Sequence, residues 1–492
     1  MNIVFVVIDT LRYDYIGADG NDWIKTPNMD RLAAESWVFD RAFQSSFPTI
    51  PFRLDVFKGR YGNPFHSWQP LPFDVLTLPE YLSRHGYCTQ LIHTTPHLVN
   101  GGHNFDWPFH AWTFIHGAEV DRPWIDSLYE IPDNWKPDPL FEFADWADIF
   151  KDRVVVTYAR ANHRRRRPED WSTARLFSTA SQFLRDNASR ENFFLWIDCF
   201  DPHEPWDVPP DFAKLYQQDP NYDGRVDPRS FVFRHDPRIS EAARERIRAL
   251  YAAKVSWVDH WFGKFLDTFY ETGLDRNTAI ILTADHGTWV GENGRFGKSL
   301  PIREQEAHIP LFIRVPGGEH GRSKAIVQPQ DLFATTTHLA NIPTPPGLDS
   351  YNLLSIARGH SDGPREVAVS GGTLAHLLRN ADAPAFTVID GEWYLQVTAK
   401  PENCVLTKAG ELQNVASEHP ELVTRLRAAG IDELERRRTD PAIISWLRGE
   451  GRSQFPTEGV VYHDGWPGPK GFKPYFARLY TEWDGPKDKP QS

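Results

Sequence analysis

NIVFVVID at residues 2–9 and TAIILTADHG at 278–287 decide the fold of this chain. Each is a nearly continuous apolar run of strand length, rich in Val, Ile or Leu, that closes on an acidic residue. Runs without alternation suit strands buried on both faces, as in a parallel sheet. Working outward, NFFLWIDCFD (192–201) and HIPLFIRVPG (308–317) read as further strands. Helical segments lie between them: TPNMDRLAAES (26–36), with Thr26 as a cap and Pro27 in the first turn, and PEDWSTARLFSTASQFLRDN (168–187). A long helical stretch follows at 240–273 and ends in Gly. LPEYLSRHGYCTQLIH (78–93) reads as helix, Gly stop and strand. This alternation predicts an α/β sandwich with a large, mostly parallel central sheet flanked by helices.

Beyond about residue 320 the composition shifts. FTVIDGEWYLQVT (386–398) reads as a hairpin turning near Asp390-Gly391, and PELVTRLRAAG (420–430) as a short helix. The expected organisation is a catalytic α/β domain over 1–350 and a smaller α+β domain with a short antiparallel sheet over 351–452. The aromatic, Pro- and Gly-rich tail at 453–492 is expected to pack on the body or on a neighbouring subunit of a dimer or tetramer. The 492 residues, with 18 Trp and 32 Phe, can fill a core of that size.

A formal net charge of −12 argues against nucleic acid as a partner. It leaves room for a small anionic substrate held by a local cluster of cations. Three widely spaced cysteines, Cys88, Cys199 and Cys404, form no CxxC and fit free thiols in a reducing compartment. The opening MNIVFVVIDT has no basic n-region and no cleavage site, and no stretch is long enough to span a bilayer. The expectation is a cytoplasmic protein with no membrane partner. The basic run HRRRR (163–167) reads as a solvated surface.

Asp9 closes the first strand, and Asp285 and His286 close another. Ligands bind outside the carboxyl ends of strands in such sheets, so the three can converge. Two carboxylates and an imidazole suit one divalent cation. In PTIPFR (48–53), Pro51 suits a helix start, whose free N–H groups face an anion. Thr49 there is either an N-cap or a hydroxyl activated on the metal. Arg53, one turn on, is placed to reach the same oxygen or the substrate anion. Asp14 is expected to pair with Arg12 rather than to bind metal.

Thr49-Ile-Pro51-Phe-Arg53, followed by Gly59-Arg60, resembles the Cys/Ser-x-Pro-x-Arg nucleophile signature of sulfatases. IDTLRYD, TPNMDRLAAE, CFDPHEPW, ADHGTWVGENGRFGK and GEWYLQVT…GELQNVASEHPEL resemble further sulfatase segments in the family's order, so that the resemblance covers most of residues 1–430. The chain is thereby identified as similar to the sulfatase branch of the alkaline phosphatase superfamily. The resemblance implies that metal ligands are Asp9, Thr49, Asp285 and His286. It also implies that His203 serves the leaving group and Lys298 the substrate anion. Asp201 is expected to orient His203 or complete the metal shell, Thr10 to touch the metal or a ligand, and His308 to lie near the same edge.

Two positions depart from the family. Thr49 stands where sulfatases carry the Cys or Ser converted to formylglycine, and the methyl on its Cβ bars that aldehyde. In GYCTQLIHTTPH, Thr94 and Pro96 fall where a Lys-x-His pair is usual. Both changes point toward phosphodiesters or phosphonate monoesters, with Thr49 as nucleophile and Thr94, Thr95, His93 and His97 lining the pocket. The imidazole of His286 favours manganese or zinc over calcium. Two other outcomes remain open at this point: a sulfatase acting without formylglycine, and a metal-containing binding protein without turnover.

Overall fold

The computed structural model describes residues 1–450 other than 63–67, 101, 120, 122–155, 218–239, 299–301, 361–362, 364, 372–385, 399 and 440. The tail expected at 453–492 lies outside the described residues.

In chain order the strands are β1 (Asn2–Ile8), β2 (Trp37–Ala42), β3 (Cys88–His93), β4 (Ala111–Phe114), β5 (Phe193–Cys199), β6 (Thr278–Thr283), β7 (Trp289–Val290), β8 (Phe296–Gly297), β9 (Leu311–Arg314), β10 (Gly321–Val327), β11 (Ala368–Ser370), β12 (Phe386–Ile389), β13 (Trp393–Val397) and β14 (Val405–Lys408). Eight of them form one sheet in the order β10-β2-β9-β6-β1-β5-β3-β4. In it β9 runs against both β6 and β2, and all other neighbours pair in parallel. Every residue of β1, β5 and β6 is buried. That is why these runs are apolar throughout rather than alternating.

Helices flank the sheet. Pro27–Ala34 and Ser172–Asp186 pack on the long helix Glu241–Glu271, while Thr49–Lys58 packs on Leu78–Arg84 and Asp331–Leu339. Beneath the site the core is aromatic. Phe5 stacks on Trp196 at 4.3 Å between ring centres, and Phe57 meets the same indole edge-on at 4.9 Å. Phe57 lies on the helix that begins with Thr49, so this cluster ties that helix to β1 and β5.

The strands β11 to β14 make a second, antiparallel sheet in sequential order, with the expected hairpin as β12 and β13. Helix Pro420–Arg436 packs on this sheet and runs past Gly430, where the sequence predicts a stop. Gly430 serves close approach instead: a Cβ there would stand 2.3 Å from Val388 Cγ2. No helix among the described residues is long and apolar enough to cross a membrane.

Candidate active site

Four neighbouring strands, β6, β1, β5 and β3, deliver polar groups at their carboxyl ends. They are Asp285 and His286 after β6, Asp9 after β1, Asp198 within the last turn of β5, and Thr94 and Thr95 after β3. Helix Thr49–Lys58 points its first turn into the same place. Thr49 is its first residue, Pro48 holds the cap position, and no side chain caps the end. The Thr49 hydroxyl is therefore not spent on capping. It lies 3.5 Å from His286 Nε2.

Arg53, one turn along, is fully buried at the centre. Its Nε donates to Asp198 Oδ2 at 2.8 Å, and Nη2 donates to Asp198 Oδ1 at 2.7 Å and Asp9 Oδ2 at 3.2 Å. Nη1 donates to Asp285 Oδ2 at 2.7 Å and to the Thr49 carbonyl at 2.8 Å. All five guanidinium N–H groups thus have acceptors. Arg53, expected to reach the Thr49 oxygen or the substrate anion, clamps the carboxylates and the backbone carbonyl of Thr49.

His286 is oriented by its own loop. Its Nδ1 lies 2.9 Å from the Gly287 carbonyl, which fixes the proton on Nδ1 and leaves the Nε2 lone pair toward Thr49. Burial pushes the imidazole down to about 4, so the ring is neutral at pH 7. Gly287 permits this arrangement, because a Cβ there would lie 2.0 Å from the Gln305 carbonyl oxygen. Asp285 accepts from the N–H groups of Thr10 (2.9 Å) and His286 (2.8 Å). Burial and the charge of Asp285 push the Asp9 carboxyl well above the usual range. Thr10 donates from its hydroxyl to Asp9 Oδ1 at 2.7 Å and adopts a left-handed φ of 64°. That conformation is strained for a β-branched residue. Its carbonyl accepts from Tyr251 at 2.8 Å, which helps to hold it there.

Asp9, Asp285 and His286 bring one ligand atom each to within 4.8 Å of one another. A divalent cation fits this set on two grounds. The donors are hard-to-borderline, and the imidazole nitrogen is unprotonated. Moreover, three fully buried carboxylates, Asp9, Asp198 and Asp285, face the single guanidinium of Arg53. With all three ionised, two negative charges are in excess there, and a bound divalent cation would balance them.

Asp198 went unread in the sequence, although its signal matches that of Asp9: an acid closing a wholly apolar strand. Besides Arg53, it accepts from Thr95 Oγ1 at 2.5 Å and Trp196 Nε1 at 3.0 Å. Thr94 Oγ1 accepts from the Phe200 N–H at 2.8 Å. Both threonines are buried, with their hydroxyls turned into the scaffold rather than lining a pocket, contrary to the sequence expectation. His93 is also buried, with Nδ1 3.0 Å from the Thr95 carbonyl. His97 stands edge-on to Trp68 and Phe200, 4.9 and 5.5 Å away, and burial together with nearby His203 keeps it neutral.

His203 stacks on Phe200 at 4.2 Å. Its Nδ1 faces the Glu204 carbonyl (2.9 Å), Glu119 Oε2 (3.0 Å) and Glu204 Oε2 (3.1 Å). Glu204 also accepts from Lys298, and from Thr288 Oγ1 at 3.3 Å. Burial would raise the Glu204 carboxyl, but Lys298 and His203 hold it down, to about 2. Neither Glu119 nor Glu204 stood out in the sequence. Asp201 does not orient His203 or join the metal ligands. It pairs with buried Lys254 at 2.6 Å and accepts from Thr173. Lys254 Nζ in turn donates to the carbonyls of His203 (3.0 Å) and Pro205 (2.6 Å), fixing the loop that carries His203.

Asp14 pairs with Arg12 through both oxygens, as expected, at 2.8 and 2.6 Å. His308 stacks on Tyr13 at 3.7 Å and its Nε2 donates to the Asp40 carbonyl, which assigns it to packing. Within HRRRR, Arg165 departs from the expected solvated run: it is turned inward onto Asp207 at 2.6 Å.

The sulfatase family matches residues 1–342. The chain is 26% identical over 383 residues to an arylsulfatase of Clostridium perfringens, covering 72% of this chain and 77% of that protein. Its fold is shared with the phosphonate monoester hydrolase of Agrobacterium radiobacter (TM-score 0.65, 19% identity, 89% and 95% of the two chains). A protein solved with its substrate D-glucosamine-2-N,6-O-disulfate is also similar (TM-score 0.64, 18% identity, 89% and 98%).

Proposed function

The chain belongs to the sulfatase family and is an ester hydrolase, and from that premise we propose that it cleaves phosphodiesters or phosphonate monoesters with Thr49 as nucleophile. The observation that carries this proposal is the Thr49 hydroxyl itself. It stands free of capping at the first turn of its helix, beside a neutral His286, on a carbon that cannot become an aldehyde. The absence of a Lys-x-His pair after β3 adds support. Thr94, Thr95 and Pro96 occupy that segment, and they put no cation beside the substrate.

Asp9, Asp285, His286 and the Thr49 oxygen would hold one divalent cation, manganese or zinc by donor type. When bound, it would lower the pKa of the Thr49 hydroxyl and draw charge from a substrate oxygen. Arg53 keeps the two carboxylates and the Thr49 backbone in place. Thr49 Oγ releases its proton to solvent and forms the bond to phosphorus as the bond from phosphorus to the ester oxygen breaks. His203, its Nδ1–H held by Glu119 and Glu204, donates a proton from Nε2 to that oxygen. Lys298 stabilises the charge on the transferring group. Water then attacks the Thr-linked phosphoryl group and gives a proton to His203, while the bond from phosphorus to Oγ breaks and Oγ takes its proton back from solvent.

The test is a turnover panel on manganese-loaded protein: aryl sulfate, phosphate monoester, phosphodiester and phosphonate monoester, with Thr49→Ala beside the parent. Diester or phosphonate turnover that falls at least about a thousandfold in Thr49→Ala supports the proposal. Dominant sulfate turnover would establish the alternative, sulfuryl transfer by an unmodified hydroxyl. Substrate binding without turnover in the parent would establish the binding-protein alternative.

A further inference from the structure

We propose that Glu204 sets the charge preference of this site, making it select singly charged esters over doubly charged ones. The inference rests on the proposed ester hydrolysis and deepens it by naming the substrate's charge. Among the described residues, the charges of Arg53 and Lys298 both bear on Asp9. Each is already matched: Arg53 by three carboxylates, and Lys298 by Glu204. Glu204 is buried and fixed by Lys298 and Thr288, with His203 Nδ1 3.1 Å away. Glu119 sets a second carboxylate against the same imidazole.

Lys298 therefore meets a substrate as half of a neutral pair rather than as a free positive charge. A sulfate ester, a phosphodiester or a phosphonate monoester brings one negative charge. A phosphate monoester brings two once its second proton is lost, near pH 6. The second charge adds repulsion from Glu204 that a monoanion does not meet. A unit charge a few ångströms away, at a dielectric between those of protein and water, changes such a ratio by about tenfold.

Two arms test this on the manganese-loaded full chain. In the first, kcat/KM is measured for an aryl phosphate monoester and an aryl methylphosphonate with the same leaving group. In the parent, the monoester-to-phosphonate ratio should fall about tenfold in all between pH 5 and 8, levelling off as the dianion replaces the monoanion. In Glu204→Gln, which keeps the shape, the ratio at pH 8 should rise about tenfold. A parent ratio that ignores substrate ionisation overturns the proposal, even where the variant fails to fold. So does a variant in which both substrates slow equally. The second arm needs no turnover. Calorimetry compares inorganic sulfate, a dianion, with methanesulfonate, a monoanion. Glu204→Gln should tighten sulfate about tenfold more than methanesulfonate, and equal changes overturn the proposal. A parent that turns over no ester defeats the proposed function, while this arm still decides the charge preference.

Discussion

Replacing Asp198 by Asn tests how far the site depends on a residue that touches neither the metal ligand set nor Thr49. Asp198 accepts four hydrogen bonds at zero exposure: two from Arg53 at 2.7 and 2.8 Å, one from Thr95 at 2.5 Å and one from Trp196 at 3.0 Å. Asn keeps the volume, removes the charge and turns an NH2 group toward donors. Taking one partner from a buried ion pair costs about 3–5 kcal/mol. Arg53 keeps Asp285 and Asp9, so a loss of about 3 kcal/mol is expected, read as a shift in denaturant midpoint. A second effect follows from charge. The buried excess falls from two negative charges to one, and the freed Nε and Nη2 of Arg53 compete for Asp9. Manganese should bind about 30-fold more weakly, or about 2 kcal/mol, as for a unit charge several ångströms away. Calorimetric titration with manganese, beside denaturation of the metal-free protein, separates the two effects. Stability within about 0.5 kcal/mol of the parent, together with unchanged manganese affinity, would refute the charge argument.

Two further outcomes follow from buried groups outside the metal ligands. Lys254→Met should strand Asp201 and release the His203 and Pro205 carbonyls, costing about 3 kcal/mol and lowering kcat more than it raises KM. Loss of stability with normal kcat would make Lys254 purely structural. His308 is pushed down by burial to about 4, below its unfolded value near 6.5. Unfolding therefore takes up a proton between those values, and the stability that His308 provides falls as pH drops through that window. His308→Gln should gain on the parent by up to about 3 kcal/mol between pH 6.5 and 4, and parallel stability curves would contradict this.

How much could be read from the residues alone depended on what kind of signal each carried. Buried strands show as uninterrupted apolar runs, so β1, β5, β6 and β9 were legible, and with them the parallel sheet and the positions of Asp9, Asp285 and His286. β10 was not, because its exposed and buried residues alternate at an edge of the sheet and its sequence, GRSKAIV, is largely polar. β2, FDRA at its end, hides in the same way. Gly430 was misread because a glycine that stops a helix and one that admits a neighbour look alike in sequence. Glu119 and Glu204 act through contacts that only the packed loops create. The hydroxyls of Thr94 and Thr95 were expected to line a pocket, but the direction of a hydroxyl depends on the acceptor beside it: the Asp198 carboxylate for Thr95 and the Asp198 carbonyl for Thr94.

Arg53 shows why the position calls for arginine: all five of its donors are taken up by carboxylates and one carbonyl. Helical spacing puts residue 53 one turn from residue 49, so its side chain passes beneath the first turn into the gap between β1, β5 and β6. Three carboxylates and the Thr49 carbonyl converge there from four separate segments. A lysine has three donors on a single point of charge and could satisfy only part of that set. The planar fork reaches all of it, with both oxygens of Asp198 on one edge and Asp285 and Thr49 on the other. Because the fork also binds the carbonyl of Thr49, the proposed nucleophile, one side chain ties Thr49 to the carboxylates of the candidate metal site. The Thr49 hydroxyl and the His286 Nε2 are left outside that clamp, 3.5 Å apart.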